Sequence, residues 1–206
     1  MVKIYSLMLL KMNKATNKPI VLCNHIDTGS SWSTWMFSNA IADMAKFLSK
    51  LLCEKTQPGC RQQVEKDELV AYVHKRDDGL TCVLVTDKDY PYRVAFDIVR
   101  KTMTDFGDYT QKEGTYSKAN TENFYSAYNN TLKQTVDLYQ DPTKGDNILK
   151  VKKELDETKE VLHQTLEKLL DRGESLDELV QKSEELESST IEFYKRTKDT
   201  KCCIIL

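Results

Sequence analysis

The stretch LLDRGESLDELV, Leu169 to Val180, places a charged side chain on the apolar stripe of a helical pattern. Leu169, Leu176 and Leu179 recur at helical spacing, and Arg172 falls on the same stripe with a glycine directly after it. Burial of a guanidinium is tolerable only where its donors find acceptors. Because polar residues at core positions of coiled coils fix register and oligomeric state, we interpret Arg172 as a polar layer rather than a side chain that reaches out to solvent.

Steps of three and four residues, taken alternately from Arg172, extend this register in both directions. Its positions are Ile148, Val151, Leu155, Thr158, Leu162, Thr165, Leu169, Arg172, Leu176, Leu179, Ser183, Leu186, Thr190, Phe193, Thr197 and Thr200. The heptad pattern predicts a coiled-coil helix of about 80 Å at 1.5 Å per residue. Because only nine of the sixteen positions are apolar and Gly173 lowers helix propensity, we expect the segment to be poorly ordered alone and to fold when partner helices complete its core.

Composition excludes several classes of protein. The 206 residues are 40% hydrophobic, which is enough for one core, and the net charge of −2 gives no drive toward nucleic acid. No stretch approaches the roughly 20 apolar residues that span a bilayer, and the N-terminus predicts a strand rather than a signal peptide. Six cysteines without regular spacing indicate a reducing cytosol.

A change of composition divides the chain. Nearly all aromatic residues lie in the range 1–140, whereas the chain from about Lys150 is rich in Glu, Lys and Leu. Between them YQDPTKGDN, Tyr139 to Asn147, supplies Pro142 and Gly145 and predicts a hinge. We therefore predict a globular domain over 1–140, a coiled-coil motif over 141–200 and a short tail over 201–206.

Strand-like and helix-like patterns mix within the predicted globular domain. IYSLMLL is apolar on both faces, as expected of a central strand with helices on each side. Strands are expected at 4–10, 19–26, 62–66, 69–75 and 80–87, and helices at 37–52, 91–106 and 123–139. The pattern predicts an α+β domain in which an antiparallel sheet is sandwiched by about three helices.

Three parts of the sequence resemble one known family. ELDETKEVLHQTLEKLLDRGESLDELVQKSEELES, Glu154 to Ser188, resembles an R-SNARE motif with Arg172 as its central ionic layer. This resemblance implies that three glutamines from Qa, Qb and Qc SNARE helices meet Arg172 in a parallel four-helix bundle whose hydrophobic layers are the heptad positions above. The range 1–140 resembles a longin domain, the profilin-like domain of some R-SNAREs. TDKDYPYRVAF, LYQDP and the ending KCCIIL resemble the lipid-anchored Ykt class, which lacks a transmembrane helix.

The C-terminal tail carries a lipidation pattern. Cys203 begins a C-a-a-X motif, and the terminal Leu206 directs geranylgeranyl transfer, whereas the family's usual Met is read by farnesyl transfer. The identity of the prenyl group therefore stays open. One lipid gives only marginal membrane binding, and Cys202 supplies a second site, for palmitate or a second prenyl group as the resemblance implies. These covalent lipids are expected in place of any cofactor or metal, with a prenyltransferase as a further partner.

The resemblance implies a fusion protein rather than an enzyme. Zippering toward Thr200 would draw a lipid-anchored C-terminus to partners in the opposing membrane, and the SNARE disassembly machinery would recycle the chain. It also implies a location in the cytosol and on the cytoplasmic face of Golgi, ER, endosomal or vacuolar membranes. The longin domain would shelter the lipid and inhibit the chain, and Phe47 matches an aromatic residue of the lipid groove in this class; plain core packing explains Phe47 equally well.

Other classes of protein fit the sequence less well. A prenylated small GTPase needs a phosphate-binding G-x-x-x-x-G-K-[ST] loop, which this sequence lacks. His25, His74 and His163 are scattered along the sequence rather than clustered as metal ligands, and no convincing nucleophile–base set is present. A lipid-anchored tether or adaptor whose coiled coil forms homodimers remains the alternative, and mixing with three glutamine-layer SNARE helices distinguishes the two.

Overall fold

The structure, a computed structural model, describes residues 3–13, 15–27, 38–113, 116–141 and 161–199. Its strands are β1 (Ile4–Met12), β2 (Pro19–Ile26), β3 (Arg61–Lys66), β4 (Leu69–Lys75), β5 (Thr81–Asp87) and β6 (Val161–Thr165). Its helices are α1 (Ser38–Lys55), α2 (Tyr92–Glu113), α3 (Asn129–Tyr139), α4 (Leu166–Leu169), α5 (Leu176–Lys182) and α6 (Ser188–Asp199). Pro142 and Gly145 of the predicted hinge lie outside the described residues, so the domain boundary stays a prediction.

The six strands form one sheet in the order β2-β1-β5-β4-β3-β6. The five strands from the predicted globular domain pair antiparallel, as expected. The sheet as a whole is mixed, because β6 from the C-terminal part adds parallel to β3, with Arg61 opposite Val161. The expectation of a purely antiparallel sheet is therefore corrected at one edge.

The central position of β1 follows from its apolar side chains. Alternate residues of a strand point to opposite faces of a sheet. Leu7 and Leu9 accordingly belong to the core on one face, and Met8 and Leu10 to the core on the other. All four side chains are fully buried. This confirms the prediction of a central strand that is covered on both sides.

Helices cover both faces of the sheet and confirm the predicted α+β sandwich. α2 and α3 contribute to the same core as Leu7 and Leu9, and α1 packs on the opposite face with Met8 and Leu10. α3 starts later than position 123, because the chain before it pairs with the edge of β2. There the backbone N–H of Asn123 donates to the Val21 carbonyl (2.7 Å).

Residues 161–199, which we call the wrapped segment, do not form the single long helix that the heptads predict. They form β6 and three short helices laid against β3 and α1. α5 begins after Ser175, whose Oγ accepts a hydrogen bond from the Glu178 N–H (3.3 Å). Because isolated stretches of weak helix gain more from packing than from propensity, contacts with the domain decide the local structure here. Among the described residues, no helix is both long and apolar enough to span a bilayer.

Candidate functional site: the wrapped segment

The wrapped segment begins as an edge strand. β6 pairs with β3 from Val161 opposite Arg61 to Thr165 opposite Glu65, which leaves only the last residue of β3 without a partner in β6. A side-chain hydrogen bond from Gln164 Nε2 to Oε1 of the buried Gln62 (2.6 Å) adds to this pairing. The strand therefore covers an edge that would otherwise present unpaired backbone groups.

Apolar side chains of α5 and α6 pack onto α1. Val180 is fully buried and forms a cluster with Met44 of α1 and with Leu186. Phe47 and Leu48 of α1, Leu176, Ile191 and Tyr194 complete this cluster. Burying such side chains typically contributes about 1.5–3 kcal/mol each before ordering costs, so this cluster stabilises the packing of α5 and α6 on the domain.

Lysines on the domain pair with carboxylates of the wrapped segment. Lys55 Nζ lies 2.5 Å from Asp171 and 2.9 Å from Glu174. Both hydrogen bonds, to Asp171 and then to Glu174, raise the pKa of Lys55, and the bond from Lys55 lowers the pKa of Glu174. The pair Lys66–Glu167, at 2.8 Å, likewise lowers the pKa of Glu167.

A third lysine ties the wrapped segment to two parts of the domain. Lys50 lies between Glu122, at 2.7 Å, and Glu185, at 2.8 Å. Burial alone would lower the pKa of Lys50, but the two carboxylates outweigh that effect and raise it. Exposed pairs of this kind are individually worth at most about 1 kcal/mol, so they orient the segment more than they stabilise it.

Arg172 lies in an exposed turn between α4 and α5. The backbone N–H of Glu174 donates to the Asp171 carbonyl (2.9 Å), which closes a four-residue turn around Arg172 and Gly173. The structure therefore places Arg172 in solvent and not in a polar layer. Its predicted role as a layer residue stays a prediction, since that role requires partner helices.

The other heptad positions divide by burial in this chain. Leu162 is 54% exposed, whereas Leu186, Thr190 and Phe193 are buried. Half-buried positions are Thr165, Leu169, Leu176, Leu179, Ser183 and Thr197. Ile148, Val151, Leu155, Thr158 and Thr200 lie outside the described residues, as do Cys202 and Cys203 of the tail. The wrapped packing therefore uses only some of the positions that the heptads mark as layers.

Phe47 lies where α1 meets the wrapped segment. A cavity of about 410 Å³ opens beside it, within the size range of small-molecule sites. Pro19, Leu51 and Leu179 add apolar walls, and Lys18, Lys50, Glu54, Lys182, Ser183, Glu184 and Glu185 line the rest together with Asn17. Phe47 is thus neither a fully buried core residue nor a free surface residue: it both packs against the segment and lines a cavity.

No group of three or more potential metal-ligating side chains occurs among the described residues. Burial raises the pKa of the thiols of Cys23, Cys53 and Cys82, which disfavours the reactive thiolate.

Reasoning from the heptads missed the contacts that hold the wrapped segment. The buried residues Leu166, Leu170 and Val180 each lie one position beyond a layer residue and thus outside the predicted stripe. Two signals were present in the sequence: these additional apolar residues, and the S-x-x-E pattern from Ser175 to Glu178, which is typical of a helix start. The lysine partners on α1 and β3 had no such signal, because they depend on tertiary contacts.

Comparison with known proteins supports both halves of the sequence interpretation. The synaptobrevin family model matches residues 147–205, and the longin model, described as a regulated-SNARE-like domain, matches residues 31–135. A Schizosaccharomyces pombe protein named synaptobrevin homolog ykt6 is 40% identical over 205 residues, which is 98% of this chain and 99% of that protein. A Debaryomyces hansenii protein named synaptobrevin homolog YKT6 is 42% identical over 82% of this chain and 84% of its own. The Arabidopsis thaliana VAMP-like protein YKT62 is 33% identical over 99% of this chain and its own full length.

Proposed function

The chain belongs to the Ykt6 family of longin-domain R-SNAREs, and we propose that it drives membrane fusion by zippering its C-terminal segment with one Qa, one Qb and one Qc SNARE helix. Membership makes it a vesicle-trafficking protein that works with other SNAREs and not an enzyme. In the proposed bundle Arg172 occupies the central layer and donates hydrogen bonds to three glutamines. The free energy that is released when the four helices fold then brings the two membranes together against their repulsion.

One observation supports this proposal most strongly: the heptad register does not match the packing of the free chain. Arg172 and Leu162 lie on the apolar stripe of the register, yet both are exposed here, whereas fully buried Val180 lies off that stripe. A sustained heptad stripe that the monomer leaves partly unused indicates a second packing with other helices.

We further propose that the wrapped segment inhibits zippering. Leu186 and Phe193 are buried in the wrapped chain, and the same two side chains are expected as layers of the bundle. Because one side chain cannot occupy both positions, the segment must leave α1 and β3 before the bundle is complete. The longin domain therefore competes with the Q-SNAREs for the same residues.

The lipid anchor links the wrapped state of the segment to the location of the chain. We propose that a prenyl group on Cys203 and a second lipid on Cys202 attach the chain to membranes, and that the cavity beside Phe47 shelters a lipid in the wrapped state. α6 ends at Asp199 and packs against α1, and the four residues from there to Cys203 span up to about 14 Å. Exposure of the lipid to water costs about 0.8 kcal/mol per CH₂, and sheltering the lipid removes this cost. The shelter therefore favours the wrapped chain in the cytosol over the chain bound to the cytoplasmic face of a membrane.

The bundle is tested by mixing the full-length chain with three glutamine-layer SNARE helices. We expect a heterotetramer that resists detergent, and Arg172→Ala should lower its unfolding free energy by about 2–4 kcal/mol, because the glutamines then lack their buried partner. Arg196→Ala is the matched control, since Arg196 is exposed and lies outside the layers. Self-association of the chain without a heterotetramer would instead favour the tether, and equal stability of both variants would contradict the layer.

The lipid shelter is tested by Phe47→Glu in lipidated protein. A carboxylate at the wall of the cavity disfavours an apolar occupant, so we expect the protein to move from the soluble fraction to membranes. Lys46→Glu places a carboxylate on the neighbouring residue, which does not line the cavity, and should change the distribution less although it changes the net charge by two units rather than one. An unchanged distribution of Phe47→Glu with an intact fold would contradict the shelter.

A further inference from the structure

The turn after α4 contains a glycine, Gly173, whose backbone conformation is one that residues with a side chain rarely adopt. Asp171 to Glu174 are closed by the hydrogen bond from Glu174 N–H to the Asp171 carbonyl, and Gly173 has a φ of +93°. Arg172 is not among the residues with positive φ, and a negative φ followed by a positive φ at glycine is the pattern of a type II turn. Glycine adopts positive φ without the steric penalty that a Cβ brings. The left-handed conformation at residue 173 is therefore part of the wrapped structure.

The surroundings of Gly173 give no other reason for a glycine. A Cβ built on it has nothing within 4 Å, so neither close packing nor a passing chain requires its absence. Lys55 contacts the carboxylates of Asp171 and Glu174 on either side and holds the turn against the end of α1. The requirement at residue 173 is thus one of backbone conformation alone.

The heptad register requires a helical backbone, and not a left-handed one, at residue 173. Position 173 lies between the predicted layers at Arg172 and Leu176. A continuous helix needs a right-handed backbone there, with a negative φ. Alanine would favour that helix over glycine by about five-fold in equilibrium constant. The same alanine would disfavour the left-handed turn by about five- to thirty-fold.

We propose that Gly173 is the joint at which the segment converts between the wrapped form and the bundle, and that its missing side chain sets the balance between them. This inference rests on the proposed function, because the helical form is that of the bundle. Gly173 changes the sign of its φ on release, while the turn held by Lys55 becomes one turn of helix. Any L-residue with a Cβ at this position shifts the balance toward the bundle.

Gly173→Ala in the full-length chain tests this joint in two independent ways. Amide exchange across 161–165, measured by mass spectrometry, and the rate of assembly with three glutamine-layer helices should each rise about five- to thirty-fold, since both follow release of the segment. Dissociation of the assembled complex should slow by about five-fold. Gly173→Asn should change exchange much less, because asparagine tolerates positive φ better than alanine.

Gly107→Ala is the matched control, since Gly107 lies within α2 and its added Cβ would meet only Arg76 Nη1 at 4.0 Å. The joint is overturned if Gly173→Ala exchanges and assembles like this control. If Gly173→Ala exchanges faster but neither the wild type nor any variant assembles, the proposed bundle is overturned. The inference that the turn at Gly173 becomes helix in the bundle is then overturned with it. Faster exchange with faster assembly is the result that the joint requires.

Discussion

At the scale of single residues, the neighbours Leu179 and Val180 in α5 differ in the packing that they serve. Val180 is fully buried against Met44 in the wrapped segment but lies one position beyond the heptad layers. Leu179 is a predicted layer residue and is only half-buried here, where it lines the cavity beside Phe47. Adjacent side chains thus serve the packing of the free chain and the predicted packing of the proposed bundle.

Aspartate at these two positions should have different effects. In Val180→Asp a charge replaces a fully buried apolar side chain, which costs about 3 kcal/mol or more and should release the segment and speed assembly. The proposed bundle should tolerate this variant, because charged residues are common at flanking positions of coiled coils. Leu179→Asp should instead block stable assembly. The assembly rate and yield with three glutamine-layer helices measure both effects, and equal behaviour of the two variants would contradict the division of roles.

At the scale of secondary-structure elements, periodicity predicts what local sequence controls. The five strands and three helices of the longin domain follow their apolar patterns, and the departure at α3 is explained by pairing of residues 123–125 with β2. β6 was not predictable in this way. Val161–Thr165 carries a heptad pattern and becomes a strand only because β3 offers an open edge, which is a tertiary effect on a stretch with weak intrinsic preference.

The ion pairs between elements predict a dependence on pH. The pKa of Glu167 is lowered by Lys66 and that of Glu174 by Lys55. A lowered pKa in the folded state means that each carboxylate stabilises the wrapped form above its ordinary pKa of 4.5 and loses that contribution as pH falls through the lowered value. Acidification below about pH 4.5 should therefore loosen the segment.

Small-angle scattering between pH 7 and pH 3.5 measures this loosening as an increase in the radius of gyration. The double variant Lys55→Met and Lys66→Met lacks both pairs at every pH and serves as the control, so its segment should be looser at pH 7 and should change less on acidification. An equal change in both proteins would show that these pairs do not hold the segment.

At the scale of the whole molecule, the free chain is a folded structure in which part of the SNARE segment packs on the longin domain. Sequence alone predicted the two parts, because heptads and sheet patterns are local signals, and the resemblance of its motifs to R-SNAREs predicted the family. It did not predict that one part completes the sheet of the other, since the contacts of Lys50, Lys55 and Val180 join residues more than 100 positions apart. The role of Arg172 as a layer stays a prediction, because its partners come from other chains.

Conversion of the whole chain between two structures can be observed with two spin labels. Glu54 and Glu184 are exposed and line the same cavity, and Glu184 lies outside the heptad layers. The labels are attached at Glu54→Cys and Glu184→Cys, and serine replaces Cys60, Cys202 and Cys203. The other native thiols, those of Cys23, Cys53 and Cys82, are buried, and their raised pKa disfavours reaction with the label.

Double electron–electron resonance on this protein is the most direct test that one segment serves both the longin domain and the bundle. We predict a short inter-label distance in the free chain that disappears when three glutamine-layer helices are added and the heterotetramer forms. A heterotetramer that retains the short distance, or a free chain that never shows it, would show that the segment does not exchange between the two packings.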